Sequence, residues 1–350
     1  MALYRTLTVV DVMESHRDIQ KLRLSDDSRA YSFTQTTGTV EIGDEVIVNT
    51  TAVDLNLGTG GWHFVLWNKS KQDLETHRGG HIMKMRYTPY QLDTGAAEEF
   101  DSYPKQEKSV EGMNVIAAPL HSQIPAIAAY IKSKNKDLKI AVLISDGAAL
   151  PLALSDLVRN MREATLIDST VTFGHAFGGD IEAINVYTSL ISAKHILNAD
   201  IAVVSMGPGI VGSDSVLGFT GIEVGHHLDA AKSLNAHTYG VLRCSQAEPR
   251  ERHRGVSHHS LTTYSMATAH RHTLGLISDS ELSDTMKKQL EHADIHKKHD
   301  VIEVESVGIV DLMEEYGLSV TSMGRPAKDD ELFFESAAAA AQLAYNEIGN

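Results

Sequence analysis

The feature that most constrains the fold is a regular alternation of short apolar runs and longer amphipathic segments from Gly112 onward. Runs such as MNVIAAPL, LKIAVLIS and DIAVVSM are almost continuously apolar, as expected of parallel strands that are buried on both faces. Between them lie helical segments such as SQIPAIAAYIKSKN and the closing DELFFESAAAAAQLAYNEI. Repeated strand–helix units imply right-handed crossovers and a sheet covered by helices. The pattern predicts a doubly wound, mainly parallel, Rossmann-like α/β domain over residues 111–350.

The first 68 residues have a different pattern. YRTLTVVDVMES, IQKLRLSD, SRAYSFTQT and GDEVIVNTTAVD are short runs rich in Val, Ile, Thr and Tyr, and polar turns separate them. Their regular spacing predicts a small β-barrel or sandwich domain over residues 1–68. Residues 69–110 are polar and irregular and are interpreted as a connector, although GGHIMKMRYTPYQ would also suit a strand. A chain of 350 residues has the length for two such domains of unequal size.

Composition narrows the classes of partner. The net charge of -15 argues against nucleic acid as the main partner and against an anionic membrane surface, because both need dense Lys and Arg. The chain has no apolar run of about 18 residues and no signal-like start, so we expect a cytoplasmic protein without a membrane partner. The single Cys244 excludes an intrachain disulfide and a cysteine-cluster zinc site. The Ala-rich ESAAAAAQLAYNEI could pack closely on a sheet or on a second subunit, and we expect a homo-oligomer.

Unusual residues follow nearly every predicted strand. They lie in the segments SDGAAL, FGHAFGGD, GPGIVGSDSVLGFTGIEVG, EPRERHRGVSHHSLTTY and SMGRPAKDD. In a doubly wound sheet, ligands bind outside the carboxyl ends of the strands. Because these segments would all emerge at that edge, the sequence predicts a binding site there.

The segment GPGIVGSDSVLGFTGIEVG contains six glycines in nineteen residues. Backbone amides of such a loop can approach an anion, and a helix N-terminus adds positive potential. We therefore expect Gly207, Gly209, Gly212 and Ser213 to bind an anionic group. The spacing matches neither a dinucleotide-binding glycine motif nor a Walker A loop. The alternative is a structural loop that needs positive φ at several positions.

Two carboxylates occupy similar positions. Asp146 and Asp180 each precede a predicted helix and could act as a general base, bind Mg²⁺ or Mn²⁺, or cap the helix. Beside Asp180, the sequence places His175, Gly178 and Gly179, a combination that suits a substrate loop or a metal site. Helix capping remains the alternative for both carboxylates.

The most unusual segment gathers three Arg and three His between Arg250 and Ser260 in an acidic chain. If this segment is extended, Arg250, Arg252 and Arg254 point to one side, and their forked donors suit phosphate or carboxylate. Gly255 would permit a tight turn. The alternative is a solvated run of charges.

The histidines of this segment titrate near neutral pH and could move protons. They are His253, His258 and His259. The adjacent pair His258-His259 alone is weak support for a metal site, because neighbouring side chains seldom bind one ion together.

Several segments resemble a known family. NTTAVDLNLGTGG, RYTP, SDGAALP, FGGDIEA, SMGPG and above all EPRERHRGVSHHSLTTY resemble an uncharacterised bacterial family, domain of unknown function 3866. The resemblance covers nearly the whole chain. It implies that the chain is one unit, and it implies no activity.

These observations predict an enzyme, a hydrolase or group transferase, that acts on an anionic and preferably phosphate-bearing small molecule. The alternative is a metabolite-binding sensor without catalysis, and nucleic-acid binding through the barrel is the weakest hypothesis. The expected metal ligands are Asp146 and Asp180. The expected catalytic residues are Asp146, His175, Asp180, Arg252, His253, His258 and His259. The expected binding residues are Gly178, Gly179, Gly207, Gly209, Gly212, Ser213, Arg250, Arg254 and Ser260.

Overall fold

The computed structural model describes residues 3–71, 73–75 and 79–348. The chain divides into two compact units, Met1–Gly95 and Ala96–Asn350. Among the residues described, none of the helices combines the length and the apolar character that crossing a membrane requires.

The first unit is a closed five-stranded barrel with the strand order β1-β2-β3-β5-β4. The expected small β-barrel is therefore confirmed. Its core consists of small apolar side chains such as Val9, Leu22 and Val48. The strands are β1 (Tyr4–His16), β2 (Ile19–Leu24), β3 (Arg29–Ser32), β4 (Glu45–Asn49) and β5 (Trp62–Asn68). The other elements of the unit are α1 (Thr34–Thr37), α2 (Thr51–Asp54) and the hairpin β6 (Met83–Lys84) and β7 (Leu92–Asp93).

The second unit contains an eight-stranded sheet in which every strand pairing is parallel. Its strand order is β11-β10-β9-β12-β8-β13-β16-β17. The expected doubly wound, Rossmann-like α/β domain is therefore confirmed. The strands are β8 (Asn114–Ala117), β9 (Ile140–Ser145), β10 (Ser169–Thr172), β11 (Ile181–Glu182), β12 (Ile201–Met206), β13 (His237–Gly240), β16 (Thr273–Ile277) and β17 (Asp300–Val304).

Helices and two short antiparallel hairpins complete this unit. The helices are α3 (Ile124–Lys134), α4 (Asp156–Glu163), α5 (Val186–His195), α6 (Glu223–Ser233), α7 (His258–Met266), α8 (Ser283–His292), α9 (Ile295–Lys298), α10 (Ile309–Glu315) and α11 (Glu331–Ile348). The hairpins are β14 (Cys244–Ser245) with β15 (Gly255–Val256), and β18 (Thr321–Ser322) with β19 (Arg325–Pro326).

Alternate residues of the central strands enter two different apolar clusters. On β8, Ile116 belongs to one cluster and Val115 to the other, and on β9 Val142 and Leu143 divide in the same way. Because successive side chains of a strand point to opposite faces, each face of the sheet has its own core. This double burial explains why the central strands are almost continuously apolar.

Some local predictions were wrong. IEAINVYTSLISAKHILN was expected to be one helix, but Ile181–Glu182 forms β11 and the helix begins only after Asn185, whose side chain accepts a hydrogen bond from the Thr188 amide. LSVTSM was expected to be a strand, but only Thr321–Ser322 is one, and it pairs with β19 in a hairpin outside the eight-stranded sheet. Its turn uses positive φ at Met323 and Gly324. Local capping and turn chemistry outweighed apolar periodicity in both segments.

Candidate functional site

The strand order creates a crevice at the carboxyl ends of β8, β12 and β13. The chain leaves β8 for β9 on one side, returns to place β12 beside β8, and then continues to β13 on the other side. In doubly wound sheets ligands bind where the strand order reverses in this way. The glycine-rich segment after β12 and the Arg/His segment after β13 both begin at this crevice.

The Arg/His segment folds back on itself. A single 3-10 turn spans Glu251–His253, and Gly255 then takes a φ of 70° to enter β15. A Cβ at Gly255 would lie 2.5 Å from Gln289 Oε1, so this turn has no room for a side chain. Ser257 caps α7 by accepting a hydrogen bond from the His259 amide. The turn therefore returns α7 to the neighbourhood of His253.

As a result, three histidines form a compact group. Their ring centroids lie 4.7 Å apart for His253 and His258, 4.9 Å for His253 and His259, and 4.3 Å for His258 and His259. One nitrogen of each ring lies within 4.8 Å of the others. The adjacent histidines each bring one nitrogen into the same group, contrary to the expectation from sequence.

Three of the six ring nitrogens of this group are buried without a hydrogen bond among the residues that the structure describes. They are both ring nitrogens of His259 and Nε2 of His258, whereas His253 Nδ1 lies 2.7 Å from Ser257 Oγ. Burial, with the nearby positive charges, lowers the pKa of His253 to about 4 and that of His259 to about 3. The histidines are therefore neutral at pH 7, where they can accept protons or bind a ligand.

The glycine-rich loop packs directly on this group. Phe219 stacks on His259 with ring centroids 4.0 Å apart and an angle of 7° between the planes. A Cβ at Gly212 would lie 3.2 Å from His259 Cε1, so glycine allows the loop to approach the ring. Arg252 forms an ion pair with Asp214 of the same loop. The predicted meeting of these two segments is therefore present.

A group of charged side chains lies beside the histidines. Glu248 is 3% exposed and pairs with Arg250 at 2.7 Å, with Arg325 at 3.6 Å and with Arg243 at 4.0 Å. Hydrogen bonds from Arg250 and the surrounding positive charge lower the pKa of Glu248 to about 2. The Arg243 side chain is only 6% exposed, and its Nε is buried without a hydrogen bond to any residue that the structure describes. We call Arg243, Arg252, His253, His258 and His259 the arginine–histidine cluster.

The three arginines of the segment do not point to one side. Arg250 turns to Glu248, Arg254 donates to the Gln246 carbonyl at 3.0 Å, and Arg252 reaches Asp214. The expectation of parallel arginines was wrong because the 3-10 turn replaces the extended backbone on which it depended. Ser260 serves the backbone here, since its Oγ accepts a hydrogen bond from the Arg243 amide at 2.8 Å.

A second polar group lies after β9. The Ser145 hydroxyl donates to Glu223 at the start of α6, and Asp146 accepts a hydrogen bond from the His175 amide at 2.9 Å. Burial raises the pKa of Glu223 to about 7, with a further contribution from the Asp146 charge. Close by, burial lowers the pKa of His227 to about 4. Such a displaced carboxyl pKa is typical of groups that transfer protons.

Asp180 does not share a metal site with Asp146. Its carboxylate accepts hydrogen bonds from the Thr170 amide and pairs with Arg162. Thr170 is aligned with Val142 on β9, and Asp146 follows Val142 by four residues. At about 3.3 Å per residue, the two carboxylates are separated by ~13 Å along the strands. The expectation of one ion between them is corrected, and neither residue caps a helix as the sequence had allowed.

Several glycine and serine positions are occupied by the protein's own contacts. The Gly178 amide donates to Glu182 at 2.8 Å and the Gly179 amide to Thr172 at 3.0 Å. In the glycine-rich loop, the Ser213 amide donates to the Gly218 carbonyl at 2.8 Å. Gly209 has a φ of 106°, which agrees with the alternative that this segment is a structural loop with positive φ values. These amides are therefore engaged in shaping their loops.

Sequence reasoning missed several residues of the site. Their roles depend on partners distant along the chain. Arg243 was hidden in a predicted strand, and Glu223 in a predicted helix. The one available signal was position. Asp214, Phe219 and Glu223 lie within the glycine-rich segment, Glu248 opens the Arg/His segment, and Arg243 precedes Glu248 by five residues. The missed residues are Asp214, Phe219, Glu223, Arg243 and Glu248.

Two cavities differ in chemistry. One of about 10 Å³ lies in the crevice against Phe219, Arg243 and His259. The other, of about 560 Å³, lies at the opposite edge of the sheet, where Arg271 is already paired with Asp300 at 2.9 Å. Unpartnered nitrogens occur in the lining of the first cavity, which makes the crevice the stronger candidate.

Comparison with models of protein families places most of the chain in one family. A family model described as a protein of unknown function (DUF3866) matches residues 29–341, which confirms the family resemblance seen in the sequence. A search of curated proteins finds no match.

Proposed function

The chain belongs to the DUF3866 family of proteins of unknown function, and from this premise we propose that it is an enzyme that acts on a small anionic molecule at the arginine–histidine cluster. A hydrolase or a group transferase fits best. These reactions require charge neutralisation and proton transfer, and the cluster contains side chains suited to both.

The observation that carries the proposal is the environment of Arg243. Its guanidinium is buried, its Nε makes no hydrogen bond within the described part of the chain, and Glu248 pairs with it at a distance of 4.0 Å. A buried charged donor without a partner costs roughly 1–3 kcal/mol or more. An anionic group would supply the missing acceptor, and a guanidinium binds phosphate or carboxylate with two parallel donors.

Two neighbouring elements supply groups for this chemistry. The histidines of the cluster are neutral at pH 7, so each ring offers a lone pair to a ligand. Glu223, with a pKa of about 7, lies four residues after Phe219, which stacks on His259. A carboxyl group with such a pKa can act as acid or base at neutral pH.

The size of the crevice limits how a substrate would bind. A cavity of about 10 Å³ has room for about one water molecule. The bulk of a substrate would therefore lie outside it, over Arg250 and Arg252, whose side chains are 46% and 37% exposed. We infer that only the anionic group itself reaches toward Arg243.

The proposal is tested by thermal unfolding with inorganic phosphate, nucleoside monophosphates and sugar phosphates. At ~100 times Kd, a ligand should raise Tm by about 5 °C, since it adds ~2.7 kcal/mol to the folded state. Arg252→Ala and Arg243→Gln should abolish the shift, and Arg23→Ala on the barrel should preserve it. A compound that binds is then assayed for turnover.

The outcomes separate the alternatives. Binding that depends on Arg252 and is followed by turnover supports the enzyme. Binding that depends on Arg252 without turnover of any phosphate ester would contradict the enzyme and favour a metabolite-binding sensor. The anion site itself would be refuted if folded Arg252→Ala and Arg243→Gln kept the full shift.

A further inference from the structure

We propose that His253, His258 and His259 bind one transition-metal ion of the Zn²⁺ type. The inference deepens the proposed function by naming a cofactor for the same site. The role of the ion in catalysis rests on that function, but its binding is argued from the three side chains alone.

The three imidazoles lie close enough together to be considered as ligands of one ion. The three imidazoles approach one another from two elements, the 3-10 turn at Glu251–His253 and the first turn of α7. One nitrogen of each lies within 4.8 Å of the others. A tetrahedral ion with bonds of about 2.1 Å places its ligand nitrogens ~3.4 Å apart. Rotation of the rings about their side-chain bonds would have to bring the nitrogens closer together by up to about 1.4 Å.

Ring nitrogens of His258 and His259 also need an explanation. His259 Nδ1, His259 Nε2 and His258 Nε2 are buried and make no hydrogen bond among the residues that the structure describes. Buried polar atoms in proteins are nearly always satisfied, and an unsatisfied one calls for an explanation such as an ion. A metal ion would accept one lone pair from each ring. It would therefore give a partner to Nε2 of His258 and to one of the two nitrogens of His259.

Ser257 contacts two of the three histidines. Ser257 Oγ lies 2.7 Å from His253 Nδ1, and it also accepts a hydrogen bond from the His259 amide. When His253 Nδ1–H donates to Ser257, the lone pair of Nε2 is free for a metal. Metal-binding histidines commonly have such a partner on the other nitrogen, which holds the ring and selects the tautomer. Ser257 therefore acts as a positioning residue.

The ligand set determines the class of metal. Imidazole favours Zn²⁺, Co²⁺, Ni²⁺ or Cu²⁺, whereas Mg²⁺ and Mn²⁺ prefer oxygen ligands. Three protein ligands leave a fourth position for water or substrate, as in catalytic zinc sites. Arg243 and Arg252 add positive charge around the ion, so an anionic fourth ligand would be favoured. The proposed ion thus differs in kind and in position from the Mg²⁺ or Mn²⁺ that the sequence led us to expect at Asp146 and Asp180.

The test measures metal binding without any assay of activity. The full chain is stripped with a chelator, dialysed and titrated with Zn²⁺ in competition with a coloured chelator. Co²⁺ is then added to reveal the intense visible absorption of tetrahedral coordination. The wild type should bind one ion per chain. His258→Gln and His253→Gln should each weaken binding by more than ~100-fold, and Ser257→Ala by ~10-fold.

His292→Gln, at an exposed position of α8, is the matched control and should bind Zn²⁺ like the wild type. Each variant is first shown to be folded by its thermal unfolding in the absence of metal. The inference is overturned if the stripped wild type takes up no Zn²⁺. It is equally overturned if folded His258→Gln and His253→Gln variants keep wild-type affinity, since the ion would then lie elsewhere.

The same preparations separate this inference from the proposed function. Zn²⁺ binding that is lost in His258→Gln supports the metal site even where phosphate causes no thermal shift, which would refute only the anion site. Conversely, an Arg252-dependent phosphate shift in a chain that binds no Zn²⁺ would refute only the metal site.

Discussion

Phe219 lies flat against His259, with ring centroids 4.0 Å apart and an angle of 7° between the planes. The two residues are forty positions apart in the sequence. Their contact joins the glycine-rich loop after β12 to the first turn of α7 after β13. Together with the ion pair between Arg252 and Asp214, this stacking interaction joins the two segments on which the candidate site is built.

Replacing Phe219 with Leu should destabilise the second unit. Phe219 is 5% exposed, so the change removes a stacking interaction and leaves a small cavity, at a cost of about 1–2 kcal/mol. Urea unfolding measures the effect. Phe100→Leu, where the ring is 47% exposed, is the control and should change the stability by less than ~0.5 kcal/mol. Equal losses at both positions would show that the stacking contributes nothing.

Glu223→Gln should change how stability depends on pH. The folded protein releases the Glu223 proton near pH 7 and an unfolded chain near pH 4.5, so this carboxyl favours folding most below pH 4.5 and least above pH 7. The variant should gain ~2–3 kcal/mol over the wild type at pH 8 and nearly nothing at pH 4.5. Thermal unfolding from pH 4.5 to 8 gives the difference between the two curves. Glu315→Gln, on the exposed side of α10, controls for the loss of one carboxylate. A difference that does not vary with pH would contradict the assigned pKa.

Glu248→Gln should be strongly destabilising. The carboxylate is buried among Arg243, Arg250 and Arg325, and its removal leaves their charges uncompensated. Breaking one side of a buried ion pair costs about 3–5 kcal/mol. The exposed Glu251→Gln, three residues later, should cost less than ~0.5 kcal/mol in the same denaturant titration. A small effect at Glu248 would mean that the arginines find other counter-charges.

Gly225→Ala should lower stability although alanine is the better helix former. In an exposed helix this change would add about 1 kcal/mol. Here the new Cβ would clash with the Ala267 carbonyl, because α6 approaches the end of α7 closely, so we expect a loss of roughly 1–3 kcal/mol. Gly58→Ala, where a Cβ would meet nothing within 4 Å, is the control. A more stable Gly225→Ala would show that the two helices can separate.

Local patterns predicted the larger features of the fold well. The apolar runs at Asn114–Ala117 and Ile140–Ser145 identified central strands because double burial leaves a direct mark on composition. Predictions failed at Ile181–Glu182, where a two-residue edge strand carries too little pattern to be separated from the helix that follows. Short elements depend on their neighbours for pairing, and the sequence of the element does not contain that information.

For the site, the sequence by itself determined which segments follow the strands and which chemical groups they carry. The Arg/His segment and the glycine-rich loop were recognisable because both break the surrounding composition. Only the tertiary structure decided which of these groups meet. The turn at Gly255 brings His253 to His258, and the return of β12 beside β8 brings Asp214 within reach of Arg252, thirty-eight residues away. Burial requires apolar residues at regular positions, so it can be predicted from a local sequence pattern. Contact between distant side chains depends on strand order and turn geometry, which a local pattern does not determine.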